Sequence, residues 1–301
     1  MRHSKMMLKF SILVLAFALV SFSAVGQSGK GGGSGRRVMT LNVIVHAPEG
    51  VTITKDFFDL YDSGVHQEVD SFSRMDSGSR IVLMIDSSQN LKIDTAALSK
   101  VVVALINELY EDDEMMIVGF NESAEIIEDM TPDLKKLQTS PTKLVRKGFP
   151  NLYDALIAVS DALSHQAKTG MEKRAIILIS DGYDSESKTK FDDMLATLQE
   201  ENVVLFAIQT PDRTRGALLR DKPKPPAALE KLTTGTGGAI FSATKIEEAA
   251  KAISEDLRKN WYRLVYTPSG INTINLRRFL LISHDQKITL RTKGSHPGTF
   301  R

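Results

Sequence analysis

From Arg80 to Leu257 the chain alternates between two hydrophobic rhythms. Unbroken apolar runs of strand length (IVLMID, MMIVGF, AIILISD, VVLFAIQT) are separated by stretches in which apolar residues recur at helical spacing. Leu98, Val101, Val102, Leu105 and Leu109 trace one helix; Leu152, Leu156, Val159 and Leu163 a second; Met194, Leu195 and Leu198 a third. The block closes with a helix near Ala228 to Leu232, the strand GAIFSA, and a helix through Ile246, Ala249, Ala250, Ile253 and Leu257. Strands apolar on both faces and separated by helices predict a doubly wound, mostly parallel sheet covered on both sides. SAEIIEDM follows MMIVGF after Asn121 and Glu122, a connection too short for a crossover helix. It is expected to run antiparallel at an edge, making six strands in all.

The flanks have a different rhythm. Residues 38–78 are β-rich, with a turn at Asp62-Ser63-Gly64, and WYRLVYTPSG, NLRRFLLIS and KITLRTK within 258–293 are short and strand-like. These two segments are expected to pair into one small β side domain beside an α/β domain over 79–257. Residues 294–301 are expected to form a disordered tail. PDRTRGALLRDKPKPP, Pro211 to Pro226, is polar and proline-laden, and is expected to be a mobile surface loop.

The N-terminus has the three-part layout of a secretory signal. Arg2, Lys5 and Lys9 precede the apolar FSILVLAFALVSF, and Ala24 and Gly26 supply small residues ahead of a cleavage expected before Gln27. The apolar run is shorter than the ~18–20 residues of a spanning helix, so residues 1–26 are expected to be removed, leaving no stable membrane span. Residues 27–37, rich in Gly and Ser, form an expected flexible linker. The mature protein is thus expected to be exported, periplasmic or secreted.

Composition narrows the function. With 301 residues and 42% hydrophobic content the chain can bury a substantial core, and its formal charge of +1 carries no nucleic-acid footprint. The six histidines are scattered without zinc spacing, and the absence of cysteine excludes disulfides, thiolate metal sites and a cysteine nucleophile.

Chemistry concentrates at strand ends. Asp86 closes IVLMID and Asp181 closes AIILISD, and in a doubly wound sheet ligands gather beyond such ends, where strand order reverses. Lys147 to Asp154 form a third loop able to meet them. Asp86, Ser88 and Asn90 alternate, so a carboxylate, a hydroxyl and an amide oxygen can point the same way, as a hard cation requires. The same residues are also ordinary turn and N-cap formers.

IVLMIDSSQN, NLYDALIAVSDAL and ILISDGYDSES together resemble the three blocks of a von Willebrand factor type A domain, and the flanks resemble a bacterial exported group related to it. The resemblance implies a Rossmann-like fold, a non-enzymatic protein-binding or adhesion-type role, and a metal-ion-dependent adhesion site. It places Asp86, Ser88, Asn90 and Asp181 as ligands of Mg²⁺ or Mn²⁺. The site is degenerate: Asn90 replaces a serine, and Pro150 stands where the family has a threonine, removing a hydroxyl outright. A weak ion completed by water and a metal-free rim are both open.

In the family a partner's acidic side chain completes the metal's coordination. Asn151, Tyr183 and Asp184 are the expected partner contacts here, to a protein of unknown identity. Two alternatives stand beside this reading: a structural subunit of an envelope complex without metal dependence, and a metal-dependent phosphoester hydrolase. The second is disfavoured because Ser88 occupies the place of the second acid, and neither a Gly-x-Ser-x-Gly nor a phosphate-binding loop occurs.

Overall fold

Strand β1 (Met39–His46) serves two cores: Leu41, Val43 and Val45 face the flanking strands, while Ile44 points into the α/β block. In the computed structural model, which describes residues 38–165, 173–217, 221–271 and 276–298, β2 (Phe58–Asp62) and β3 (Val65–Gln67) follow as a hairpin. Its two turn residues, Ser63 and Gly64, have φ of 52° and 82°, the twist that suits a tight hairpin. β4 is Val69–Arg74. The expected signal, 1–26, and linker, 27–37, lie outside the described residues.

The α/β block then runs β5 (Ser79–Asp86), α1 (Thr95–Asn107), β6 (Glu114–Phe120), β7 (Ala124–Thr131), α2 (Leu134–Thr139), α3 (Leu152–His165) and β8 (Lys173–Ser180). It continues with α4 (Phe191–Glu200), β9 (Val204–Gln209), α5 (Pro225–Thr236), β10 (Ile240–Ser242) and α6 (Ile246–Arg258). Its sheet has six strands in the order β10-β9-β8-β5-β6-β7, parallel except for β7, which pairs antiparallel with β6 at the edge.

The unbroken apolar run in β5 has a simple cause. Ile81, Leu83 and Ile85 pack with α1 and α6 on one face, while Val82 and Met84 pack with α3, α4 and α5 on the other. Each such side chain contributes about 1.5–3 kcal/mol on burial, so neither face tolerates a polar residue.

Order reverses at β5. The chain fills β6 and β7 on one side, then returns to lay β8 against the other side of β5. The carboxyl ends of β5 and β8 are therefore neighbours, and the residues that follow them share one rim.

The flanks differ from expectation in two respects. After β11 (Trp261–Tyr266), β12 (Leu276–Ser283), β13 (Thr289–Thr292) and β14 (Ser295–Pro297), the structure contains two four-stranded antiparallel sheets, β13-β1-β11-β4 and β14-β12-β2-β3. Each draws strands from both ends of the chain, as the pairing of the two segments predicts, and the sheets share a core around Leu41, Leu60, Leu264 and Tyr266. They belong to the same compact unit as the α/β block. The expected disordered tail is instead partly ordered. Gly294 donates its N–H to the Gly235 carbonyl at 3.0 Å, and Ser295 then pairs with Arg278 of β12.

Residues 211–217 and 221–226 are also not the free loop expected of 211–226. Pro225 opens α5, a position where a missing N–H costs nothing, and Arg213 is drawn inward.

Candidate functional site

Asp86 ends β5 and Asp181 directly follows β8, so the adjacent parallel strands deliver both carboxyls to the same rim, each fully buried. Burial there requires hydrogen-bond donors, and the chain supplies them. One oxygen of Asp86 accepts the backbone N–H of Ser88 at 3.0 Å and its hydroxyl at 2.5 Å. The other accepts the Ser180 hydroxyl at 3.2 Å and an Nη2–H of Arg213.

Arg213 is the residue that the sequence does not announce. Its Nε donates to Asp181 Oδ2 at 2.8 Å, its Nη2 to Asp181 Oδ1 at 2.9 Å as well as to Asp86, and its Nη1 to Ser88 Oγ at 2.7 Å. Its backbone N–H adds a bond to Asp181 Oδ2 at 2.9 Å, and the Tyr183 N–H donates to Asp181 Oδ1 at 3.1 Å. The side chain of Arg213 is only 8% exposed, and the Tyr183 ring lies 5.3 Å from its guanidinium carbon.

The electrostatics follow from this enclosure. Burial pushes the Asp86 carboxyl above its ordinary range; Arg213 and the Ser88 bonds pull against that, and the charge of Asp181 adds to it. Burial alone would lower the Arg213 guanidinium, but its bonds to Asp181 and the charges of Asp86 and Asp181 raise it instead.

The family-implied divalent ion does not fit this arrangement. A carboxylate has about four lone-pair positions, and both Asp86 and Asp181 receive four protein donors. The Ser88 oxygen, a third ligand of the expected set, donates to Asp86 and accepts from Arg213. The position between them holds a guanidinium.

Of the other expected residues, Asn90 is exposed and joins none of these bonds. Pro150 is buried, and its carbonyl accepts the Ser185 N–H at 2.7 Å. The Asn151 amide ties two loops together, donating to the Glu122 carbonyl at 3.2 Å and accepting the Glu186 N–H at 3.1 Å. Tyr183 is half-buried beside Arg213.

Asp184 corrects the expectation of an exposed contact. It is buried because the start of α3 needs an acceptor: Oδ1 takes the Tyr153 N–H at 3.2 Å, and Oδ2 pairs with Lys222 Nζ at 2.6 Å. Gly182 between these acids has φ of +86°, and a Cβ there would lie 2.3 Å from the Pro225 carbonyl oxygen.

Residues 81–183 match the family model described as von Willebrand factor type A domain. An aerotolerance-related membrane protein from Bacteroides fragilis NCTC 9343, solved with multiple mutations to serines, is similar at 16% identity and a TM-score of 0.47, over 60% of this chain and 100% of that one. A von Willebrand factor type A structure from Catenulispora acidiphila is similar at 11% identity and a TM-score of 0.49, over 80% and 73%. The conserved hypothetical protein BatB from Bacteroides thetaiotaomicron gives 18% and 0.46, over 60% and 98%. No curated protein matches the chain. Six strands in this order, two acids at the switch-point rim and the matched segment lead to one conclusion: the α/β block has the fold of a von Willebrand factor type A domain, and residues 81–183 match that family.

Proposed function

We propose that this protein is a non-enzymatic, extracytoplasmic protein-binding module that recognises its partner through the loops at the carboxyl ends of β5, β8 and β9. The family match supports a protein-interaction role in general. The observation that carries the finer reading is the saturation of Asp86 and Asp181 by internal donors. A carboxylate with every lone pair engaged is a poor nucleophile, general base or metal ligand, whereas a rigid polar rim is a sound recognition surface.

The adhesion site is degenerate in this reading, and a partner's acidic side chain finds no open cation there. Tyr183, half-buried at the rim and backed by Arg213, is an aromatic side chain placed to anchor a contact. Export rests on the layout of the first 26 residues. Among the described residues, no helix is long and apolar enough to cross a membrane.

A pull-down from an envelope extract, with wild type and Tyr183→Ala, in chelator and in Mg²⁺, tests the reading. Specific capture that weakens in Tyr183→Ala and is unaffected by chelator is the expected result. Phosphoester turnover that needs Mg²⁺ and disappears in Asp86→Asn would overturn it in favour of an enzyme.

A further inference from the structure

Two carboxylates side by side in a buried rim need a cation. In this chain that cation is covalently attached. All four side-chain hydrogen bonds of Arg213 end on groups that the family resemblance assigns to a metal ion: Asp86, Ser88 and Asp181. The planar fork of a guanidinium suits this task, since it meets a carboxylate through two parallel N–H bonds and still reaches a second acceptor.

The loop carrying Arg213 is itself tied down. Lys92 Nζ donates to the Asp212 carbonyl at 2.8 Å, and Asp212 accepts the N–H and hydroxyl of Thr214, both at 2.7 Å, and the Gly216 N–H at 3.0 Å. Farther along, Lys222 Nζ holds Asp184 and, at 2.6 Å, the Ser185 carbonyl. A second cation of the same segment thus neutralises the third buried acid of the rim.

We propose that Arg213 is a built-in cation that takes the place of the divalent ion at this rim. The occupant of the cation position is then permanent rather than exchangeable, and the rim keeps one shape whatever the ionic conditions. This inference concerns what fills the rim, and stands whether or not the partner is a protein.

Thermal melting of the purified chain in chelator, in millimolar Mg²⁺ and in millimolar Mn²⁺ tests it. Wild type is expected to melt at one temperature in all three. Arg213→Ala, which leaves two buried carboxylates unpaired, is expected to melt roughly 10 °C lower in chelator. Mn²⁺ is expected to recover part of that loss by binding the vacated acids. Arg213→Lys should recover less than the native fork provides, because an ammonium offers a point charge without the fixed geometry.

If Arg213→Ala does not fold, hydrogen exchange on wild type decides: amides at 211–217 are expected to be protected equally with Mn²⁺ and with chelator. A wild-type melting temperature raised by several degrees in Mn²⁺, faster exchange at 211–217 on adding Mn²⁺, or an Arg213→Ala protein that melts like wild type in chelator would each overturn the proposal. So would a destabilised Arg213→Ala that gains nothing from Mn²⁺, because the guanidinium would then be an ordinary ion pair.

Discussion

Two buried aspartate–arginine sites in this molecule solve the same electrostatic problem by different routes. Asp62, at the end of β2, accepts the Tyr266 hydroxyl at 2.5 Å and an Nη2–H of Arg277. Arg277 stands on β12, two residues from Phe279, which pairs directly with Asp62 in the sheet, so the ladder itself sets the geometry. At the rim, Arg213 rides on a loop, and side-chain bonds to Asp86, Ser88 and Asp181 hold it there. The first site joins distant parts of the chain into a scaffold. The second closes the rim between the ends of β5 and β8. A ladder-fixed pair is inseparable from the fold, whereas a loop-fixed one can be altered locally.

The sharpest way to break this contrast is at the scaffold. Asp62→Ala strands Arg277 and Tyr266 without their buried partner, and should cost about 3–5 kcal/mol in chemical denaturation, with loss of structure across the flanking sheets. A loss confined to β2 and β12 would put the two sites on an equal footing. Next in size is Gly182→Ala, which forces a side chain into positive φ and against the Pro225 carbonyl. About 1–3 kcal/mol is expected, together with displacement of the start of α5. Chemical shifts limited to residue 182 and its immediate neighbours would show that the rim is softer than its bonding implies.

A third buried cation sharpens the comparison through pH. Lys293 Nζ donates to the Gln199 carbonyl at 2.8 Å and to Asn202 Oδ1 at 2.6 Å, both neutral groups. Burial pushes the Lys293 ammonium down to about 7, with the charge of Glu200 only partly opposing it. Arg213, facing two carboxylates, moves the other way. Between about pH 7 and the ordinary lysine range, the unfolded chain binds a proton at residue 293 that the folded chain does not. This group therefore makes stability rise with pH in that window, by at most about 1.4 kcal/mol per unit. Above pH 10 burial of the Tyr153 and Tyr266 phenols, which raises both, acts in the opposite direction. Denaturation at pH 7, 8 and 9 should show the rise, and Lys293→Met should flatten it. An unchanged slope in the variant would assign the effect elsewhere. The smallest expected effect is Ser88→Ala, which removes one acceptor from Arg213 and one donor from Asp86, at about 1 kcal/mol. A loss as large as that of Asp62→Ala would make Ser88 the keystone of the rim instead of Arg213.

Much of this was legible in the residues. IVLMID and AIILISD are apolar on both faces because each strand feeds two cores, and the periodicity reports that directly. Asp86 and Asp181 were recoverable because a polar residue ending such a run lies at a strand end by construction, and strand order then makes them neighbours. Arg213 was not, because a single arginine in a polar, proline-laden stretch has no periodicity to distinguish it from solvated loop residues. A signal did exist. The incomplete ligand set left two acids without a full metal site, and the segment after β9 emerges on the same rim as Asp181. Asp184 misled for a local reason: Gly-Tyr-Asp-Ser has the composition of an exposed turn, but the backbone at the start of α3, brought in from another loop, captures the carboxylate. The tail misled similarly, since its order comes from Lys293 and Gly294 docking on the helices rather than from any strand pattern of its own.

The most direct test of the account is a crystal structure grown in millimolar Mn²⁺, with anomalous scattering used to locate the ion. The account predicts no anomalous peak among Asp86, Ser88 and Asp181, and the Arg213 guanidinium seated between the two carboxylates. A manganese peak there, with Arg213 swung out to solvent, would contradict it.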